Sequence, residues 1–72
     1  MTREEFMNKM QDVLQTEAVL AEDTVLMDLD EWDSLSMMAT MAFADKNFGV
    51  KLSMADFRAM NTMADLAAKL GV

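Results

Sequence analysis

Apolar and polar positions divide this 72-residue chain into helical stretches joined by one long irregular connection. Phe6, Met10, Val13 and Leu14 recur at i, i+4, i+7 and i+8, which lines one face of a helix. Ahead of that stripe Thr2 and Glu5 form a capping box, and Glu4 and Glu5 sit at the positive end of the helix dipole. The spacing predicts a first helix that starts at Thr2 and fades near Gln15 to Glu17. From Thr16 to Asp33 the period blurs. Val19, Leu20, Val25, Leu26 and Leu29 stand there as apolar anchors among acids, which predicts a long loop pinned to the core. Without glycine or proline, that loop leaves room for a stray helical turn, and loops this long in small domains are often functional.

The second helix is predicted from Asp33–Ser34 to Asn47 or Phe48, with either Asp33 or Ser34 able to cap it. Gly49 suits a left-handed residue just past its end. Val50 to Leu52 reads as an extended link. Ser53, with Asp56 three residues on, opens a short helix running to about Arg58. Thr62, paired in the same way with Asp65, caps a last helix whose stripe is Met63, Leu66, Ala67 and Leu70, ended by Gly71. No alternating pattern of strand type competes. The expectation is an all-α four-helix bundle, a single domain over residues 1–72, with a short third helix and the long loop between helices 1 and 2.

Cysteine and histidine are both absent. No disulfide can staple the fold and no thiolate can act as nucleophile or ligand, which suits a reducing cytoplasm. Ser–His and Cys–His machinery cannot be built, so an enzyme with its own catalytic residues is not expected, nor is a metal site. The N-terminal segment is charged every few residues, unlike a signal peptide. The longest uncharged run, Ser34 to Ala44, falls short of the roughly 18 to 20 residues that a membrane span needs.

The net charge of −7 is unevenly placed. Residues 1–33 hold ten acids and two bases, and residues 34–72 hold three acids and four bases. Such a balance argues against nucleic acid as a partner. At the end of the acidic half stands Ser34, at a predicted helix start behind Asp28, Asp30, Glu31 and Asp33. Taken alone, Ser34 reads as an ordinary capping serine, worth about 1 kcal/mol to its helix.

The run Asp33-Ser34-Leu35 changes that reading. Here the chain resembles the acyl carrier protein family, including the peptidyl carriers, whose attachment motif is Asp-Ser-Leu. The likeness extends to the helix order, the acidic first loop, Phe48 and Gly49 at the end of helix 2, and the step Asn61-Thr62 into the last helix. The resemblance implies that Ser34 receives 4′-phosphopantetheine from coenzyme A, through a Mg²⁺-dependent transferase and a phosphodiester bond. The arm's thiol would then carry an acyl group as a thioester, giving a cysteine-free chain its sulfur chemistry. A phosphodiester at a helix start would lie near unpaired amides and the positive dipole end. Asp28, Asp30, Glu31 and Asp33 would form a docking surface for transferase and synthase enzymes with basic surfaces. The expected state is a cytoplasmic monomer that shuttles substrate for other enzymes, in a specialised fatty acid, polyketide or related pathway. Trp32 directly before the motif is similar to specialised carriers; read by itself it is an apolar anchor closing the loop on the bundle.

Ten methionines are unusual, and Met37 to Ala44 is apolar almost all the way round, with Thr40 its only polar side chain. A helix in so small a bundle cannot bury every side. Some of Met37, Met38, Met41 and Phe43 are therefore expected outside, as a contact strip. Leu35, Met37 and Met41 join the acids as expected partner contacts. Helix 2 departs from the family pattern of several glutamates, since Asp45 is its only acid after the motif and Lys46 follows at once.

Two other classes deserve comparison. A calcium-binding loop begun at Asp28 would need glycine where Asp33 stands and a glutamate where Ala39 stands, and it fails on both. An acidic helical adaptor that binds partners without any covalent group is the remaining alternative.

Overall fold

The computed structural model describes all residues, Met1–Val72. Four helices follow in order: α1 over Arg3–Leu14, α2 over Ser34–Phe48, α3 over Met54–Ala59 and α4 over Met63–Leu70, with one 3₁₀ turn at Leu26–Asp28. All four α-helices begin with a reciprocal capping box, from Thr2, Asp33, Ser53 and Thr62. The short helices need these caps. Six to eight residues satisfy few of their own terminal amides, and each cap is worth about 1 kcal/mol.

The core gathers Phe6, Met10, Leu26, Met63 and Leu66, all fully enclosed, with Leu14, Leu20, Leu52, Phe57 and Leu70 around them. Phe6 of α1 meets Phe43 and Phe48 of α2 at ring-centroid distances of 6.2 and 6.3 Å, so an aromatic cluster joins the two longest helices. In α1 the buried arc is Phe6, Met7, Met10 and Leu14, and Val13 is only half-buried. Met7 and Val13 flank the arc that Phe6, Met10 and Leu14 define, one on each side, and the packing covers only the Met7 side completely.

The long loop is held by backbone pairing against the entry of α4. The amides of Met63 and Ala64 donate to the carbonyls of Thr24 and Glu22, both at 2.9 Å, and the Leu26 amide donates to the Asn61 carbonyl at 2.9 Å. Val25 and Thr62 form one isolated antiparallel bridge there, the sole strand-like feature. The loop thus satisfies the first two amides of α4, which four residues of helix cannot satisfy internally. Leu20 and Leu26 are buried as anchors, and Val25 and Leu29 are half-buried. Val19 is the exception: it is 86% exposed, so the expectation that it anchors the loop is corrected. Its neighbours are tied down by Gln11 Nε2 donating to the Ala18 carbonyl at 2.7 Å, and by the Ala18 amide donating to Thr16 Oγ1. With Leu20 turned inward, the adjacent side chain is left facing water.

Arg3 fastens the ends together. Its Nε donates to the Val72 carbonyl at 2.7 Å, and its guanidinium pairs with Glu22 in the loop.

Candidate functional site

The loop delivers Asp33 and Ser34 to the start of α2. Of the two, Asp33 takes the cap: its Oδ1 accepts the Ser36 amide at 2.9 Å, and Ser36 Oγ accepts the Asp33 amide at 2.9 Å. Of the two candidate caps that the sequence offers, Asp33 is the one used, and Ser34 is the first helical residue. An aspartate carboxylate reaches the third-position amide, and Ser36 completes the box, so no bond is left for a second capping side chain.

Ser34 is exposed, and its hydroxyl makes no hydrogen bond within the protein. The amides of Ser34 and Leu35 have no protein acceptor either, because α2 offers them none and its cap is spent on Ser36. The result is a free hydroxyl beside two unpaired N–H groups at the positive end of a 15-residue helix. That is a setting for an attached anion. No base of this chain touches the hydroxyl, so no nucleophilic machinery stands around it.

The acids arranged before it divide between two depressions. Asp28, Asp30 and Glu31 line one together with Glu17, across from the end of α1 at Gln15 and Thr16. Glu31 and Asp33 belong to the other, which lies between the end of α1 and the first turns of α2 and includes Leu35. Glu31 thus borders both.

Helix α2 inverts the usual pattern. Its buried residues are the small ones, Ser36, Thr40 and Ala44, at i, i+4 and i+8. Thr40 is fully enclosed and donates its hydroxyl to the Ser36 carbonyl at 2.9 Å, so its polarity is satisfied inside the helix. Small residues on this face let α1 come close, and the large side chains are pushed to the flanks. Leu35 is 76% and Met38 is 62% exposed, whereas Met37, Met41 and Phe43 are half-buried against the core. Of the expected contact residues, Leu35 is fully presented and Met37 and Met41 are presented along one edge only. Met38, and Met27 in the 3₁₀ turn at 74% exposure, add to Leu35 as exposed apolar residues on Ser34's helix and loop. The signal for Met38 lay in the sequence, since it falls opposite the Ser36–Thr40–Ala44 row. Nothing in the loop's pattern marked Met27.

Trp32 packs edge-on to Phe57 of α3 at 5.4 Å and is half-buried on the core. It ties the segment just before Ser34 to the third helix, as an anchor would.

A family model described as the phosphopantetheine attachment site matches residues 4–70. Among solved structures, the chain is similar to the solution structure of holo acyl carrier protein from Geobacter metallireducens, with a TM-score of 0.74 and 24% identity. That similarity covers 93% of this chain and 78% of the other. No curated protein sequence matches the chain at a significant level. The match over nearly the whole length defines the class: the chain belongs to the phosphopantetheine attachment site family, and its fold is that of an acyl carrier protein. Its cofactor is covalently attached 4′-phosphopantetheine, and its part in chemistry is that of a carrier.

Proposed function

We propose that Ser34 is the residue that carries the prosthetic group, and that the chain works as one carrier domain for acyl groups in a specialised fatty acid, polyketide or related biosynthetic pathway. The observation that supports this most directly is the free, exposed Ser34 hydroxyl, relieved of the capping role by Asp33 and set beside two unpaired amides. When bound, 4′-phosphopantetheine supplies the thiol that this chain lacks. The residues of the chain do the rest. Ser34 Oγ forms the new bond to phosphorus as the pyrophosphate link of coenzyme A breaks and adenosine 3′,5′-bisphosphate leaves, and its proton goes to a base of the transferase, since none stands near it here. The Ser34 and Leu35 amides hold the diester's negative charge.

Asp28, Asp30 and Glu31 steer basic partner surfaces toward Ser34, and Leu35, Met37, Met38 and Met41 supply apolar contact once the partner has arrived. Helix α2 presents Asp45 and Lys46 side by side, so its outer face offers little net charge. Docking therefore rests on methionine packing and the acidic loop. No helix is long and apolar enough to cross a membrane. We place the carrier in the cytoplasm, as a monomer meeting a phosphopantetheinyl transferase and acyl-transferring or synthase enzymes in turn.

The test is intact-mass measurement after incubation with coenzyme A and a broad-specificity phosphopantetheinyl transferase. Wild-type protein should gain one prosthetic group and Ser34→Ala none. An unmodified wild type, under conditions that convert a known carrier, would leave the non-covalent adaptor as the better reading.

A further inference from the structure

The structure carries a groove beside Ser34, between the end of α1 and the first turns of α2. Both neighbours of Ser34, Asp33 and Leu35, line it. Its apolar wall is Val13, Leu14, Leu35 and Ala39, and its polar edge is Gln15 with Glu31. The volume is about 290 Å³, at the lower end of what holds a small molecule.

The other directions open to a flexible chain leaving Ser34 are less suitable. On the α3 side the Trp32 ring packs against Phe57, and no depression that includes a neighbour of Ser34 opens there. The depression lined by Glu17, Asp28, Asp30 and Glu31 offers few apolar atoms. A third depression, at Met41, Ala42, Asp45, Lys51 and Leu52, includes neither neighbour of Ser34, so an arm reaching it would first cross open surface along α2.

We propose that the pantetheine part of the arm lies in the α1–α2 groove, a placement that rests on attachment at Ser34. The chemistry fits part by part. The arm is neutral beyond its phosphate, with a pair of geminal methyl groups, two amides and one hydroxyl. The methyl groups match the wall of Val13, Leu35 and Ala39. The amide N–H groups are donors, and Glu31 offers carboxylate acceptors while the Gln15 side chain, which has no partner in the protein, both donates and accepts. The phosphate is excluded from the same groove, since Glu31 and Asp33 repel it, and it stays at the Ser34 and Leu35 amides. Gln15 holds its place at an unusual backbone angle, φ 54°, in the left-handed region that a non-glycine residue seldom adopts. That turn ends α1 and sets Gln15 at the groove's edge.

The experiment follows isotope-labelled protein by NMR before and after treatment with coenzyme A and the transferase, with intact mass measured on the same samples. Cross-peaks are expected from the arm's geminal methyl protons to the methyls of Val13 and Ala39, with shifted amides at Val13, Gln15 and Ala39. In Ala39→Phe, which fills the groove at an exposed helix position, the cross-peaks to Val13 should disappear once the protein is loaded. Persistence of those cross-peaks in the variant overturns the proposal. So does a loaded wild type whose shifts stop at residues 33–35 or gather at Met41, Ala42 and Leu52, and in that case attachment at Ser34 still stands. A sample whose mass does not rise removes the attachment itself, and the groove's occupant with it.

Discussion

Asp33 and Ser36 close on each other across the first turn of α2, each side chain accepting the other's backbone amide at 2.9 Å. This reciprocal pair holds the helix start while the side chain of Ser34, lying between them, contributes no bond. Helix capping and the proposed attachment at Ser34 are therefore separable. Ser34→Ala should change stability by no more than about 0.5 kcal/mol, as for a surface substitution away from a cap. Asp33→Ala should cost about 1 kcal/mol, a fall of roughly 4–8 °C in Tm for a domain this size. Thermal unfolding followed by circular dichroism distinguishes them, and equal losses would mean that Ser34 caps after all.

Steering by the acidic loop predicts an order of effects on partner enzymes. Reversing Asp28, Asp30 and Glu31 together to lysine should lower transferase kcat/KM about tenfold or more at low salt, within the range of electrostatic steering. Asp45→Lys should change it less than about twofold, because Lys46 already offsets that charge. The gap should shrink as ionic strength rises. Equal effects from both variants would argue against docking through the loop.

The enclosed hydroxyl of Thr40 gives a packing test. Thr40→Val keeps the shape and removes a donor whose acceptor, the Ser36 carbonyl, still has its place in the helix ladder. Its stability should stay within about 1 kcal/mol of wild type. Thr40→Leu adds bulk to the close α1–α2 face and should cost about 1–3 kcal/mol. Urea midpoints measure both.

Three helix caps make the fold sensitive to acid. Glu5 is held below the ordinary carboxylate range by hydrogen bonds from the backbone and hydroxyl of Thr2, Asp56 by those of Ser53, and Asp65 by the amides of Asn61 and Thr62. Each depressed group favours the folded state when ionised. That stability is present above the unfolded values, near about pH 4, and is lost as pH falls through the lower folded values. Urea midpoints should drop steeply below about pH 4. The triple variant Glu5→Gln, Asp56→Asn, Asp65→Asn should be less stable at pH 7 and should show a flatter acid limb.

Trp32 reports on its own contact. Phe57 presses on the indole edge-on at 5.4 Å, so Phe57→Leu should shift the emission of this sole tryptophan to longer wavelength as water reaches the ring. Trp32→Ala should cost about 1–3 kcal/mol, less than a fully enclosed aromatic, because the ring is half-buried. An unchanged spectrum in Phe57→Leu would sink the contact.

The helix starts and stops were legible in the sequence, because caps and breakers act over three or four residues. Thr2–Glu5, Ser53–Asp56, Thr62–Asp65, Gly49 and Gly71 all do in the structure what their spacing predicts. The Asp33-Ser34-Leu35 motif could be read only through its resemblance to a known family, and the acidic loop through its composition. Three features came only from the tertiary structure. Which of two adjacent residues capped α2 depended on Ser36 being turned inward. Which face of an almost uniformly apolar helix went inside depended on how closely α1 could approach, and the smallest side chains won. The loop's path depended on unpaired amides at α4, some 40 residues away in the chain, taking the carbonyls of Glu22 and Thr24. Local hydrogen bonding is written in short spacings, whereas burial and long-range pairing are settled only when all four helices compete for the same interior.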